Sequence, residues 1–347
     1  MKIVILHDEI LPTSRPDEVD ALVQAEVVRA ALAELGHEST ALQFSLDLRG
    51  VGAALNRLGA EVVFNLVESA EGHGRLIYLA PALLDVLGLP YTGASTDAMF
   101  LTSNKLLTKR LLEADGIDTP PWVASASPPD PEALFPGRYI VKAVWEEASV
   151  GIDDDTIVEA ADRGTLVRRI EAAAGRMGGE AFAELYIDGR EFNLALLTSP
   201  DGPVVLPPAE IHFVDYPAGK PRIVSYRAKW DADSFEYHNT PHCFDFPAAD
   251  RGLLDELRRL ARRCWDVFGL RGYARVDFRV DSAGRPWVLE LNANPCLSPD
   301  AGFLAAAQRD GFRMVNIVDQ LLADALGRSK QETPIEPTDC RGHEPRP

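Results

Sequence analysis

The residues best suited to chemistry lie near the end of the last strand-like pattern. Along Val288-Leu289-Glu290-Leu291-Asn292-Ala293-Asn294, apolar and polar residues alternate as in a half-buried strand, and Pro295 ends the pattern. The polar face carries no Lys, Thr or Arg; it carries Glu290, Asn292 and Asn294, a row of hard oxygen donors. The enclosing stretch, YARVDFRVDSAGRPWVLELNAN, reads as a hairpin turning through Asp281-Ser282-Ala283-Gly284. A period of two puts Arg275, Asp277 and Arg279 on one face of its first strand. With the turn centred near Ala283, Asp277 falls opposite Glu290, their carbons about 5 Å apart. Facing carboxylates repel unless a cation lies between them. Asp277, Glu290 and the amide oxygen of Asn292 suit Mg2+, which takes oxygen ligands and shares substrate phosphates. The competing reading is the solvated outer face of an edge hairpin. Recurrent asparagine, a poor strand former, weighs against it.

The elements that must hold this face come earlier. The first hundred residues alternate β and α: IVIL, then the amphipathic ALVQAEVVRAALAELG closed by Gly36, then AALNRLGAEVVFNLV and LIYLAPALLDVLGLPYTG. This is the pattern of a doubly wound α/β domain. No GxGxxG follows the first strand, where His7-Asp8-Glu9-Ile10 stands, so a nicotinamide-dependent dehydrogenase is disfavoured. After the helical SNKLLTKRLLEADG, which leaves Lys109 on an exposed helix face, Pro120, Pro121, Pro128, Pro129, Pro131 and Pro136 mark an inter-domain crossing. Strand RYIVKAV, loop WEEASVGIDDD, helix ADRGTLVRRIEAAAG and strand EAFAELYI follow, then FNLALLT, helix RGLLDELRRLARRCWDVFG, the hairpin and helix FRMVNIVDQLLADALG. The expected divisions are 1–97 (N-terminal α/β), 98–181 (central), 182–328 (C-terminal, with the metal face) and a disordered, Pro-rich tail at 329–347.

Composition narrows the function class. A net charge of −18 over 347 residues argues against coating nucleic acid. Cys243, Cys264, Cys296 and Cys340 show no CxxC spacing, which excludes a zinc ribbon and disfavours a disulfide framework. Cys296, beside the metal face, reads as a small buried filler, since no histidine base stands near it in sequence. No apolar run approaches the ~20 residues of a membrane span. The expectation is a cytoplasmic, soluble protein without nucleic-acid or membrane partners.

Asp277, Glu290 and Asn292, with Arg275 two residues before the aspartate, resemble the metal-binding end of ATP-grasp carboxylate–amine ligases, most closely the D-alanine–D-alanine ligases. LLDVLGLPYTGAS, NKLLTKRLLEADGIDTPPW, YIVKAVWEEASVGID and AELYIDGREFNLALL resemble further motifs of that family in the same order, from about Leu83 to Leu326. The resemblance implies an α/β chain, α+β in its nucleotide-binding half, in which two domains clasp ATP below an N-terminal α/β domain. It implies ATP and Mg2+ (with Mn2+ able to substitute), a homodimer, and an acyl-phosphate route joining amino acids or peptide-like molecules.

Residue by residue, the resemblance places Lys105 and Lys142 on ATP phosphates, and Glu184 as the residue receiving the adenine amino group. Ile187 matches the residue offering backbone hydrogen bonds to the ring, and Glu191 the carboxylate on the ribose hydroxyls. Ser149 and backbone N–H groups of the loop 146–151 match the triphosphate cover. Arg275 matches the arginine that stabilises the tetrahedral oxyanion, and Lys229 a further phosphate-neutralising lysine. The chain departs from the family at the substrate positions. Ala148 and Trp230 stand where the family has a serine and a tyrosine, and Pro299-Asp300-Ala301-Gly302 replaces a serine-containing stretch. Asp300, with Glu18 or Asp20 from the N-terminal part, is then expected to meet a substrate ammonium, in a pocket also bounded by Gly302 and Trp230. The expectation is a ligase for a pair other than two D-alanines. The alternatives are a true D-alanine–D-alanine ligase and a non-catalytic ATP-binding module.

Overall fold

The computed structural model describes residues 1–125 and 135–329; Pro128, Pro129 and Pro131 and the tail from 330 onwards lie outside them. Strands β1 (Lys2–Asp8), β2 (Glu38–Phe44) and β3 (Val62–Asn65) form a parallel sheet in the order β2-β1-β3. Its central strand is apolar on both sides, as a parallel strand covered on both faces must be. Ile3 and Ile5 pack on Val28 and Leu32 of α1 (Pro16–Glu34), together with Ile317 and Leu321 near the C-terminus. Val4 and Leu6 pack on the opposite side against Val51 and Leu55 of α2 (Leu48–Leu58) and Leu84 of α3 (Leu79–Leu87). Gly36, at φ 78°, lets His37 N–H return to the Leu32 carbonyl and closes α1.

Helices α4 (Thr96–Ser103) and α5 (Lys105–Ala114) lead to a second, antiparallel sheet. It is built from β4 (Trp122–Ala124), β5 (Gly137–Ala143), β6 (Ile157–Ala160) and β7 (Ala181–Leu185), in the order β4-β7-β5-β6. Leu166, Ile170 and Ala173 of α6 (Arg163–Ala174) cover the face made by Tyr139, Val141 and Val158. The other face, with Ile140, Lys142 and Glu184, borders a cavity.

The third sheet runs β11-β10-β8-β12-β13, with β9 beside β8. Its strands are β8 (Gly189–Leu197), β9 (Val204–Val205), β10 (Ala209–Ile211), β11 (His242–Cys243), β12 (Tyr273–Asp281) and β13 (Pro286–Asn292). Short helices α7 (Tyr226–Trp230) and α8 (Phe235–His238) precede β11, α9 (Arg251–Val267) precedes β12, and α10 (Gly302–Arg309) and α11 (Met314–Ser329) end the described chain. Alternation decides which side chains reach the cavity. Val276, Phe278 and Val280 of β12 share a core with Leu257 and Ala261 of α9, while Arg275, Asp277 and Arg279 line the cavity. The hairpin is no solvated edge, because β12 lies between β8 and β13.

Three expectations need correction. β7 begins at Ala181 yet pairs with β4 and β5, so a division at 181/182 cuts it from its own sheet. Ala98, Met99 and Leu112 of α4 and α5 share a core with Val276 and Val288, so these helices belong with the third sheet rather than the second. A strand's partners, not its place in the chain, set these boundaries. Asn294 does not continue the oxygen row either. Pairing ends at Arg275↔Asn292, the Asn292 side chain accepts from Asn294 N–H at 2.9 Å, and the chain turns. Asn294 then accepts from Tyr273 Oη at 2.7 Å and donates to the Val67 carbonyl at 2.9 Å, tying the hairpin to the first sheet.

A second tie crosses the same junction. Gly272, at φ 68°, lies so close to Gly93 that a Cβ on it would sit 2.8 Å from Gly93 Cα. Gly272→Ala adds a left-handed penalty to a backbone overlap and is expected to destabilise by about 2–4 kcal/mol. Urea unfolding at pH 7 measures this; a midpoint equal to that of the wild type contradicts the close approach.

Candidate active site

A cavity of about 410 Å3 lies where the second and third sheets face each other, bounded also by the 146–152 loop, α7 and Asp20 of α1. Cations and carboxylates from different elements meet along it. Lys142 on β5 and Lys109 on α5 hold the two oxygens of Glu184 on β7, at 2.6 and 2.5 Å. Burial opposes ionisation of Glu184, but the two ammoniums outweigh it and keep the carboxyl below its ordinary range. Each oxygen meets one ammonium and keeps a second lone pair, so the two lysines orient a carboxylate that lines the cavity and can still accept an N–H donor. Lys109 is fully buried rather than exposed: it stands one turn beyond Lys105 on the inner face of α5 and also donates to Thr119 Oγ1 at 2.7 Å.

Lys105 donates to the Glu146 carbonyl at 2.8 Å and to Glu147 at 2.9 Å, and lies 3.7 Å from Glu290. Arg279 pairs with Glu191 at 2.6 Å. Arg275 forks onto Asp277 at 2.7 and 2.8 Å. Lys229 on α7 lines the cavity without an ion-pair partner among the described residues. Burial, then Arg275, push its ammonium towards the neutral form.

Asp277 pairs directly with Glu290, and a bulge follows before Phe278↔Val288, the kind of irregularity that re-aims side chains at a site. Burial disfavours the Glu290 charge, yet Lys105, Lys142, Lys229 and Arg275 bring the carboxyl down to about 2. Among the described residues no group of three or more His, Cys, Asp or Glu is placed to share an ion. The donor set here is two carboxylates and the Asn292 amide, all oxygen, with Glu290 ionised; it fits Mg2+. Asn193 donates to Asp277 at 2.7 Å and, with Arg275, fixes its orientation.

The loop over this end carries two consecutive non-glycine residues in the left-handed region, Ala148 at φ 55° and Ser149 at φ 61°. Each costs on the order of 1–3 kcal/mol and persists only when neighbours hold it. Ser149 Oγ donates to the Val224 carbonyl at 2.8 Å, and the Trp230 indole donates to the Ala148 carbonyl at 3.2 Å. The Ser149 hydroxyl thus ties the loop to the 224–230 segment while its residue lines the cavity.

At the other end Asp20 accepts from Ser298 Oγ at 2.7 Å and from Cys296 Sγ at 3.0 Å. Cys296 is no mere filler, since it lines the cavity with its thiol pushed up chiefly by burial. The structure brings Lys105, Lys142, Ser149, Glu184, Ile187, Glu191, Lys229, Trp230, Arg275, Asp277, Glu290, Asn292, Asp300, Gly302 and Asp20 to one cavity. Glu18 is not among them: its carboxylate accepts from Arg15 N–H at 2.7 Å and caps α1. Sequence reasoning missed Glu68 and His242, which also line the cavity. Glu68 had a readable signal, an acid just past the C-terminal end of a buried parallel strand, where α/β sheets bind ligands. Burial, with Asp8 and Asp20 nearby, raises its carboxyl to about 8 against the hydrogen bond from Gln24. His242 sits on a two-residue strand with no pattern to betray it.

Residues 132–323 match the sequence profile of the family described as D-ala D-ala ligase C-terminus. The D-alanine–D-alanine ligase of Gloeobacter violaceus is 32% identical over 333 residues, covering 94% of this chain and 100% of that one. An uncharacterized protein of Sinorhizobium fredii is 29% identical over 86% of each chain. The crystal structure of the Bacillus anthracis D-alanine–D-alanine ligase complexed with ATP superposes with a TM-score of 0.73, covering 96% of this chain and 100% of that one. At 18% identity that likeness shows the shared ATP-grasp fold alone.

Two outcomes follow from the charge lattice. Lys109→Ala leaves a buried carboxylate short of a partner and should cost about 3–5 kcal/mol in urea unfolding; an unchanged midpoint contradicts the pairing. Glu290 is bound to fewer protons in the folded chain, about 2 against an ordinary 4.5, so its stabilisation is complete above the ordinary value and lost as pH falls towards 2. The stability of Glu290→Gln measured between pH 6 and pH 3 should therefore fall less steeply than that of the wild type; parallel curves contradict the assignment.

Proposed function

The chain belongs to the D-alanine–D-alanine ligase family, ATP-dependent, ADP-forming enzymes that make a C–N bond, and from that membership we propose that its cavity joins a carboxylate to an amine other than as a pair of D-alanines. The observation that carries the anionic chemistry is Lys229, a lysine in the cavity with no ion-pair partner among the described residues, beside Arg275 and the Asp277–Glu290 pair. Such a cation is costly until an anion arrives. ATP phosphate and a substrate carboxylate are the anions this reaction brings together.

In the proposed sequence a carboxylate oxygen attacks the γ-phosphorus of ATP, ADP leaves, and an acyl phosphate forms. The amine nitrogen then attacks the acyl carbon. The tetrahedral oxyanion collapses, the C–O bond to phosphate breaks, and the nitrogen loses its proton. Lys105 and Lys142 are assigned to the phosphates, and Arg275 to the oxyanion, where fixed positive charge is most effective. Mg2+, when bound, neutralises phosphate charge; Asp277, Glu290 and Asn292 are the residues assigned to hold it. Glu184, Ile187 and Glu191 are assigned to the adenosine. Ser149 takes a structural part, holding the cover in place.

Support for a different substrate pair comes from the substrate end. Neither Ala148 nor Trp230 supplies the hydroxyl that the family resemblance expects, and each is bonded to the other instead. Asp20 and Glu68 form an acidic wall there, with Asp300 at the rim. Losing a hydroxyl leaves former partners unpaired at about 1–3 kcal/mol each when buried, enough to change selectivity tenfold or more. The names of the relatives favour the competing reading, D-alanine with D-alanine.

An ADP-release assay with D-alanine alone, set against pairs drawn from L- and D-amino acids and small peptides, separates the two. Turnover best with a pair other than D-alanine is expected; turnover best on D-alanine alone overturns the proposal. Glu290→Gln should abolish substrate-dependent ADP release while leaving the fold intact, and activity within a few-fold of wild type removes the metal assignment.

A further inference from the structure

The strained 148–149 turn is held from one side by the segment 224–230, through the Val224 carbonyl and the Trp230 indole. What holds that segment is a separate question. Tyr226 N–H bonds back to the Ile152 carbonyl at 3.1 Å, which only joins the two segments to each other. The anchor outside them is the Tyr226 hydroxyl, which donates to Asp17 Oδ1 at 2.7 Å across 209 residues of sequence. Asp17 sits in the first turn of α1, fixed by the fork from Arg15 and by the packing of α1 on the first sheet. Tyr226, Lys229 and Trp230 stand at i, i+3 and i+4, so they share one face of α7. Seating the tyrosine therefore sets where Lys229 and Trp230 enter the cavity.

We propose that Tyr226 is a positioning residue: its bond to Asp17 latches α7 to the N-terminal helix, and through α7 places Lys229 and the 146–152 cover over the reacting phosphate. The catalytic consequence rests on the ligase reading; the latch itself does not. The hydroxyl remains a donor through the working range, because burial and Asp17 both raise it.

The test uses Tyr226→Phe, Asp17→Ala and the double variant in the full chain, by hydrogen–deuterium exchange with and without ADP and Mg2+ and by ADP release. Amides of 148–152 and 224–230 should exchange about tenfold faster in each single variant, as expected for one lost hydrogen bond, with global unfolding little changed. The double variant should be no worse than Asp17→Ala alone, because the Tyr226 bond is already lost there and the Arg15 fork is lost in both. With an active substrate pair, kcat should fall about tenfold with nucleotide KM nearly unchanged. Should Tyr226→Phe misfold, Asp17→Ala removes the acceptor and breaks the same bond from the other side. Unchanged exchange in 224–230, or additive effects in the double variant, overturns the latch. Absence of substrate-dependent ADP release from the wild type overturns the ligase reading instead and leaves the exchange result to judge the latch.

Discussion

Taking an ammonium or guanidinium out of water costs several kcal/mol unless an anion accompanies it, and this constraint orders the whole cavity. Lys142 and Lys109 share Glu184, Lys105 leans on Glu147 and the Glu146 carbonyl, Arg275 forks onto Asp277, and Arg279 holds Glu191. The partners come from both sheets and from the loop between them, so the charge lattice and the fold stabilise each other. A polyanionic ligand enters a region where the cations are already placed and oriented. Little reorganisation remains to be done when it arrives.

The strands supply the registry that this lattice needs. A period of two sends Val276, Phe278 and Val280 into the core and Arg275, Asp277 and Arg279 into the cavity, so the apolar half of β12 anchors the polar half. Slipping by one residue would exchange the two sets. The bulge after Asp277 and the turn at Asn292–Asn294 end the pairing where the carboxylates are required. The same turn lets Asn294 grip Val67, coupling the metal face to the first sheet.

Much of this was legible in the sequence, and what was not has a physical reason. The alternation in YARVDFRVDSAGRPWVLELNAN fixed the hairpin and the Asp277–Glu290 pairing, because strand geometry is local. Lys142, at the end of an apolar strand, announced itself in the same way. Lys109 did not, since a helix position shows its partner only when the fold brings Glu184 and Thr119 to it. Glu18 looked available for substrate, but the capping box from Arg15 to Glu18 claims it. Asn294 failed because strand ends depend on partners. Tyr226 and Asp17, 209 residues apart, carry no sequence signal at all. Ordered motifs located the nucleotide end, whereas the substrate end is assembled from α1, the loop after β3 and the loop after β13, and only the three-dimensional structure joins them.

The central claim is that this cavity activates a carboxylate as an acyl phosphate. The most direct measurement follows oxygen. With the accepted carboxylic substrate labelled with 18O in its carboxylate, together with ATP, Mg2+ and the amine, phosphate released during turnover is analysed by mass spectrometry. The account predicts one labelled oxygen transferred to each phosphate, since the bond broken in the second step is the acyl C–O bond. Product formation with unlabelled phosphate would contradict it.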